Sequence, residues 1–130
     1  VFSLTFTFGG LPRPELSLNG RLHYINRSKL VKQERQYACY LGLQHRDSWK
    51  APERAIISYE FCVTTRRVRD LENLIGACKA WIDGLCDAGI LVKDDCWHLE
   101  IGYGRICLAD REETRLMISA TEEYQRANIR

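Results

Sequence analysis

In the segment RRVRDLENL, Arg66 to Leu74, three arginines stand immediately before two carboxylates and an amide. Asp70 and Glu72 can share one cation there, because magnesium takes hard oxygen ligands and fills the rest of its shell with water and substrate phosphate. Arg66, Arg67 and Arg69 lie where a phosphate backbone can approach, with Asn73 beside them. The same residues also have an ordinary use, since an acidic first turn caps a helix and complements its dipole, and arginines in a loop are often only solvated. A second pair, Asp94 and Asp95, stands in the run GILVKDDCWHLEI. Paired aspartates are common in turns and alone support no metal site. An acidic helix start and an acidic strand start separated by one helix are more specific, because the chain can reverse and bring the second pair back beside the sheet.

A basic stretch lies upstream. Six cationic residues (Arg13, Arg21, Arg27, Lys29, Lys32 and Arg35) fall between positions 13 and 35, against Glu15 and Glu34. Acidic residues gather later, at Asp110, Glu112, Glu113, Glu122 and Glu123, so a net charge of only +2 hides a polarity that a polyanion can exploit. Arginine forks and lysine point charges suit phosphate oxygens. The candidate contacts to a phosphate backbone are therefore Arg66, Arg67, Arg69 and Asn73, then Asn19, Arg21, His23, Arg27, Lys29 and Lys32. Tyr24, Trp49, Trp81 and Trp97 can stack on bases, but strand phase assigns Trp97 to the core and Trp81 to a helix edge or dimer contact.

A length of 130 residues predicts one domain over 1–130, and 45% apolar with 28% charged residues is a globular composition. No apolar run reaches the length of a membrane span, and VFSLTFTF lacks the features of a signal peptide, so a soluble intracellular protein with no membrane partner is expected. The six cysteines show no C-x-x-C spacing and read as reduced thiols packed in the core.

These groups must be positioned by a small α+β fold. Phe2, Leu4, Phe6 and Phe8 alternate with Ser3, Thr5 and Thr7, the period of a strand with one buried face. The loop LPRPELSLNGRLHYIN is too rich in proline and glycine for regular structure. A helix with a basic outer surface is expected from about Ser28 to Gln44, with Leu30, Tyr37, Ala38 and Leu41 inward. Ala55 to Val63 alternates as a second strand. Asp70 caps one long second helix, with Leu71, Leu74, Ile75, Cys78, Ile82 and Leu85 inward and Gly89 closing it in a left-handed conformation. Trp97, Leu99, Ile101 and Tyr103 then change phase to Ile106 and Leu108, which predicts a bulge near Gly104 in a third strand. A turn at Asp110 to Glu113 returns a fourth strand with Leu116 and Ile118 inward, closing a hairpin. The expected order is β-α-β-α-β-β, a mixed sheet with helices on one face.

RDLENL, a helix of about four turns, and AGILVKDD leading into a strand together resemble the RusA family of Holliday junction resolvases, whose pattern is an arginine-rich loop, R-D-x-D-N, a helix and a D-D pair. SLNGRLHYINRSKLVK is similar to the family's N-terminal loop, and the match runs through most of the chain in the same order. The resemblance implies a RusA-like fold and a cytoplasmic, bacterial or phage-encoded endonuclease, and makes DNA the partner of the candidate phosphate-backbone contacts. It implies magnesium, with manganese as a substitute and no nucleotide cofactor, held by Asp70, Glu72 and Asp95 with Asp94 beside them. These residues would activate water to leave a 5′-phosphate. It also implies a homodimer, which supplies two sites for the two strands of a four-way junction.

Two positions depart from the family pattern. Glu72 stands in place of an aspartate, and Gly76 where the family tends to carry a lysine; Lys79, Lys93 or a loop arginine are the candidates to supply that charge. The alternatives are a flap or replication-fork nuclease of the same fold, a catalytically weak junction-binding protein, and a protein-interaction module.

Overall fold

The computed structural model describes residues 3–17, 20 and 23–121. Phe2, Asn19, Arg21, Glu122 and Glu123 from the sequence reading lie outside the described residues. Among those described, the elements are β1 (Ser3–Gly9), α1 (Tyr24–Leu43), β2 (Ala55–Val63), α2 (Leu71–Ala77), α3 (Lys79–Asp87), β3 (Leu99–Leu108) and β4 (Glu113–Ala120). Single 3-10 turns occur at Pro14–Leu16, inside the proline-rich loop, and at Arg46–Ser48. The result is a mixed α+β domain with helices packed on a central sheet.

β1 shows the alternation its sequence predicts: Leu4, Phe6 and Phe8 are buried while Ser3, Thr5 and Thr7 face solvent. Ile57, Tyr59 and Phe61 of β2 and Leu116 and Ile118 of β4 complete the apolar face, onto which Ala38 of α1 and Trp81, Ile82 and Leu85 of α3 pack. The expected final hairpin does not form. The sheet order is β1-β4-β2-β3, with β4 antiparallel to both β1 and β2, and β3 parallel to β2. A strand joined to the next through helices returns parallel, so β3 lies beside β2 at the edge. β4, whose Thr114, Leu116 and Ile118 are fully buried, occupies a central place instead. The bulge is where the phase shift predicts it: Ile57 pairs with Ile101 but Tyr59 with Gly104, so β3 carries one extra residue. The Ser58 hydroxyl accepts the freed Tyr103 N–H at 3.2 Å.

Several expectations about helices and side chains are corrected. α1 starts at Tyr24 rather than Ser28 because His23 acts as its cap, Nδ1 accepting from Ile25 N at 3.3 Å. Tyr37, expected inward, is 39% exposed, its ring set edge-on to that of the core residue Phe8 at 5.6 Å. The single long second helix is two, broken at Cys78, whose thiol donates to Leu74 O. Its end is as expected, with Gly89 at φ +80°. Trp81 is not at an edge: it is buried, its ring stacked on Phe8 at 4.1 Å and its Nε1 donating to Glu34 at 2.9 Å. Trp97 is 77% exposed because the strand begins only at Leu99, so strand phase does not reach it. Ile101 and Tyr103 are likewise exposed on the edge strand. All six cysteines are free; Cys62 and Cys78 are core thiols, whereas Cys96 is exposed outside any helix or strand.

α1 and α3 meet closely at Gly84. A methyl group there would fall 2.2 Å from the Arg35 carbonyl oxygen and 2.8 Å from Ala38 Cβ. The helices would have to separate, so Gly84→Ala is expected to cost about 1–3 kcal/mol, as overpacking in a core does. Urea unfolding checks this; an unchanged midpoint would contradict the close approach.

Candidate functional site

The RRVR loop links β2 to α2, and Arg69 shapes it from within. Its Nη1 donates to Thr65 O at 3.0 Å and Arg67 O at 2.9 Å, and its Nη2 to Thr65 Oγ1 at 3.2 Å. Arg69 is therefore spent on folding the loop, which leaves Arg66 and Arg67 presented to solvent. The loop delivers Asp70 to the start of α2, where Oδ1 accepts from Glu72 N at 3.0 Å and Asn73 N at 3.3 Å. The cap is real. Both bonds use Oδ1, and Oδ2 takes none among the described residues.

Asp70 lines a cavity of about 700 Å³ with Arg13, Arg67, Arg69, Asn73 and Glu112. Its other wall is the Gly9–Pro14 segment, so the proline-rich loop does border the acidic helix start. Glu72 is exposed and does not line this cavity.

Asp94 and Asp95 lie in a different cavity, of about 570 Å³, with Tyr59, Gly76, Lys79, Cys96, Leu99 and Ile101. The chain does reverse and bring them back beside the sheet, but against the far end of α2. The cap Asp70 with Asn73, Leu74 and Ala77 of α2 line the first cavity; Ile75 and Gly76 of α2, with Lys79 of α3, line the second. α2 is thus a wall between the two carboxylate sets. Among the described residues no group of three or more His, Cys, Asp or Glu side chains is gathered to hold a metal ion.

The second cavity has its own electrostatics. Lys79 Nζ pairs with Asp94 and with Asp83, the latter at 2.8 Å. Desolvation lowers the Lys79 pKa, but the hydrogen bonds to Asp83 and Asp94 outweigh it and hold the ammonium charged. Lys79 and Gly76 line the same cavity, with the Lys79 charge taken up by Asp83 and Asp94. Lys93 is exposed and does not line this cavity. Asp95 Oδ1 accepts from Trp97 N at 2.9 Å and His98 N at 3.1 Å, and lies 2.6 Å from His98 Nδ1. The His98 contact, then these backbone bonds, hold the Asp95 carboxyl below its usual range. Sequence reasoning misses His98; its signal is the three-residue spacing from Asp95 in a turn. Arg13 and Glu112 read in the sequence only as charge and prove to be cavity residues.

No family model matches the chain. An uncharacterized protein of Xylella fastidiosa (strain Temecula1) is 34% identical over 82 residues, which cover 59% of this chain. The chain spans about half the length of that curated relative, 52%.

The upstream basic residues divide in the same way as the loop arginines. Arg27 Nη1 donates to Glu15 O at 2.8 Å, pinning the 3-10 turn to α1. Lys29 and Lys32 are exposed, and Lys32 shares a shallow cleft with Arg27 and Arg35. Arg35 is itself held by Asp87 at 2.6 and 2.8 Å. Among the described residues no helix is long and apolar enough to cross a membrane.

Proposed function

We propose that the chain is a RusA-like, magnesium-dependent endonuclease that binds branched DNA, four-way junctions above all, as a homodimer. The observation that carries this reading is the cavity that Asp70, its Oδ2 unengaged among the described residues, lines together with Arg67 and with Arg13, which also pairs with Glu15. Cationic forks hold phosphate oxygens, and a carboxylate next to them has the chemistry to hold a divalent cation against the same phosphate. Asp70 Oδ2 is the hard donor this cavity offers to magnesium; Glu72, exposed outside the cavity, belongs to the ligand set only through the family resemblance, and waters and phosphate would complete the shell. A cation bound there supplies Lewis-acid polarisation of the phosphate and a more acidic water. The protein's own part is to fix the Asp70 rotamer through two backbone N–H groups and to keep the arginines on the approaching strand.

Asp95 and Asp94 belong to this reading through the family resemblance, and their separation from Asp70 by α2 favours a second reading. In that reading the chain binds junctions but cuts weakly, because Lys79 already neutralises Asp94. Incubation of a mobile synthetic four-way junction with the protein in magnesium decides between them. Paired symmetric nicks are expected; tight binding with no nicks in magnesium or manganese would leave a junction-binding protein, and faster cutting of flaps would move the substrate class.

Arg66→Ala with Arg67→Ala is expected to weaken binding of all junction sequences alike and to lower the salt slope by about one for each phosphate no longer neutralised. Titrations at several salt concentrations read this directly. An unchanged slope would mean that these arginines are only solvated.

A further inference from the structure

β1 and β3 form the two edges of the sheet, and they differ. The inward residues of β1 are covered by helices. Of the corresponding residues of β3, Leu99 packs against the core and Gly104 lies under Leu71 and Ile75 of α2, but Ile101 is 60% exposed and Leu108 52%, with Ile106 also open. Native sheets blunt an edge of this length with charge, proline or cover, and this one carries apolar side chains on the face where a core would continue.

The bulge gives the strand a second property. It runs LEIGYGRICL, and the extra residue shifts the inward positions from Leu99 and Ile101 to Gly104, Ile106 and Leu108. An antiparallel copy centred between Tyr103 and Gly104 therefore sets Leu99 opposite the partner's Leu108 and Ile101 opposite the partner's Ile106. Residues directly opposite in an antiparallel pair share a face, so all four apolar side chains fall on the helix side. Without the bulge the same pairing would set inward residues against outward ones. On the polar face Glu100, paired in its own chain with Arg54 at 3.6 Å, falls diagonal to the partner's Arg105, paired in its own chain with Glu60, so a contact across the seam would join these two ion pairs into one network.

We infer that β3 is the seam of a two-fold dimer, in which a second copy of this chain adds its β3 antiparallel and joins two four-stranded sheets into one. The charge complementarity and the bulge-matched register select a second copy over an unrelated strand, and an isologous interface requires this kind of self-complementarity. The inference takes up the homodimer of the proposed function and says where its interface lies.

Sedimentation equilibrium of the full chain and two variants tests it. The wild type is expected to be a dimer. Ile101→Lys/Ile106→Lys places lysines opposite each other twice and should raise the dissociation constant at least ~100-fold, through lost apolar burial and repulsion. Ile101→Lys/Ile106→Glu makes each of those pairs opposite in charge and should recover roughly tenfold or more of that loss. A monomeric wild type ends both the seam and the homodimer, and assigns this edge to another occupant. A Lys/Lys variant that stays dimeric ends the seam alone. Should the circular dichroism of that variant show it unfolded, Glu100→Cys decides instead. Oxidation should give a covalent dimer whose linked peptides join that position to the native Cys107, and a dimer linked elsewhere, or none, overturns the register.

Discussion

Asp70→Asn is expected to lower junction cleavage in magnesium by about 10²–10³-fold while leaving junction affinity and stability nearly unchanged. The loss is the kinetic equivalent of several kcal/mol of charge stabilisation at the scissile phosphate. The amide is a sharp probe because of what it preserves. Asparagine caps a helix about as well as aspartate does, so its Oδ1 can still accept from Glu72 N and Asn73 N. What it removes is the negative charge and the hard anionic oxygen at Oδ2. A purely structural Asp70 therefore predicts no change in rate, and a ligand predicts a large one. Asp70→Ala separates the two roles further, since it should also cost about 1 kcal/mol of stability through the lost cap. Single-turnover nicking with thermal melts on both variants checks this. Full activity in Asp70→Asn would end the metal role and leave only the cap.

Trp81→Ala is expected to destabilise the fold by about 3–5 kcal/mol, the range for removing a large aromatic from a core. The side chain is 4% exposed, and its ring lies 8° from parallel with Phe8 of β1. Removing it opens a cavity where α3, α1 and the sheet converge, and strips Glu34 of its indole donor. Trp81→Phe separates these contributions. It keeps most of the packing against Phe8 and loses the hydrogen bond, and Glu34 is partly exposed and can turn to water, so a cost of about 1–2 kcal/mol is expected. Urea unfolding of the three proteins measures both differences. A cost below about 1 kcal/mol for Trp81→Ala would contradict the buried stack and return Trp81 to an edge.

Much of this architecture is local chemistry and could be read along the chain. The alternation of β1, the Asp70 cap, Gly89 at φ +80° and the extra residue in β3 each depend on a few neighbouring side chains or on backbone freedom at one position, whereas β2, read as alternating, is buried on both faces. The arginines could be counted, but not sorted. That Arg69 and Arg27 are spent on backbone carbonyls while Arg67 faces a cavity depends on where the loop and the 3-10 turn come to rest.

What the tertiary structure decided is which segments, distant in sequence, lie side by side. Hydrophobic period shows that β3 and β4 are strands, but not that β4 inserts between β1 and β2 and leaves β3 at the edge. Period likewise made Trp97 look buried and Trp81 marginal, because it cannot tell where a strand begins or which helix face meets Phe8. The two carboxylate pairs carry the same lesson. Their order along the chain suggests one site, yet α2 contributes different residues to different cavities, and Asp94 pairs with Lys79 of α3 in the cavity that Asp70 does not line. Ligand types and charge are written in the sequence; their convergence depends on packing between segments far apart in the chain, which no local pattern encodes.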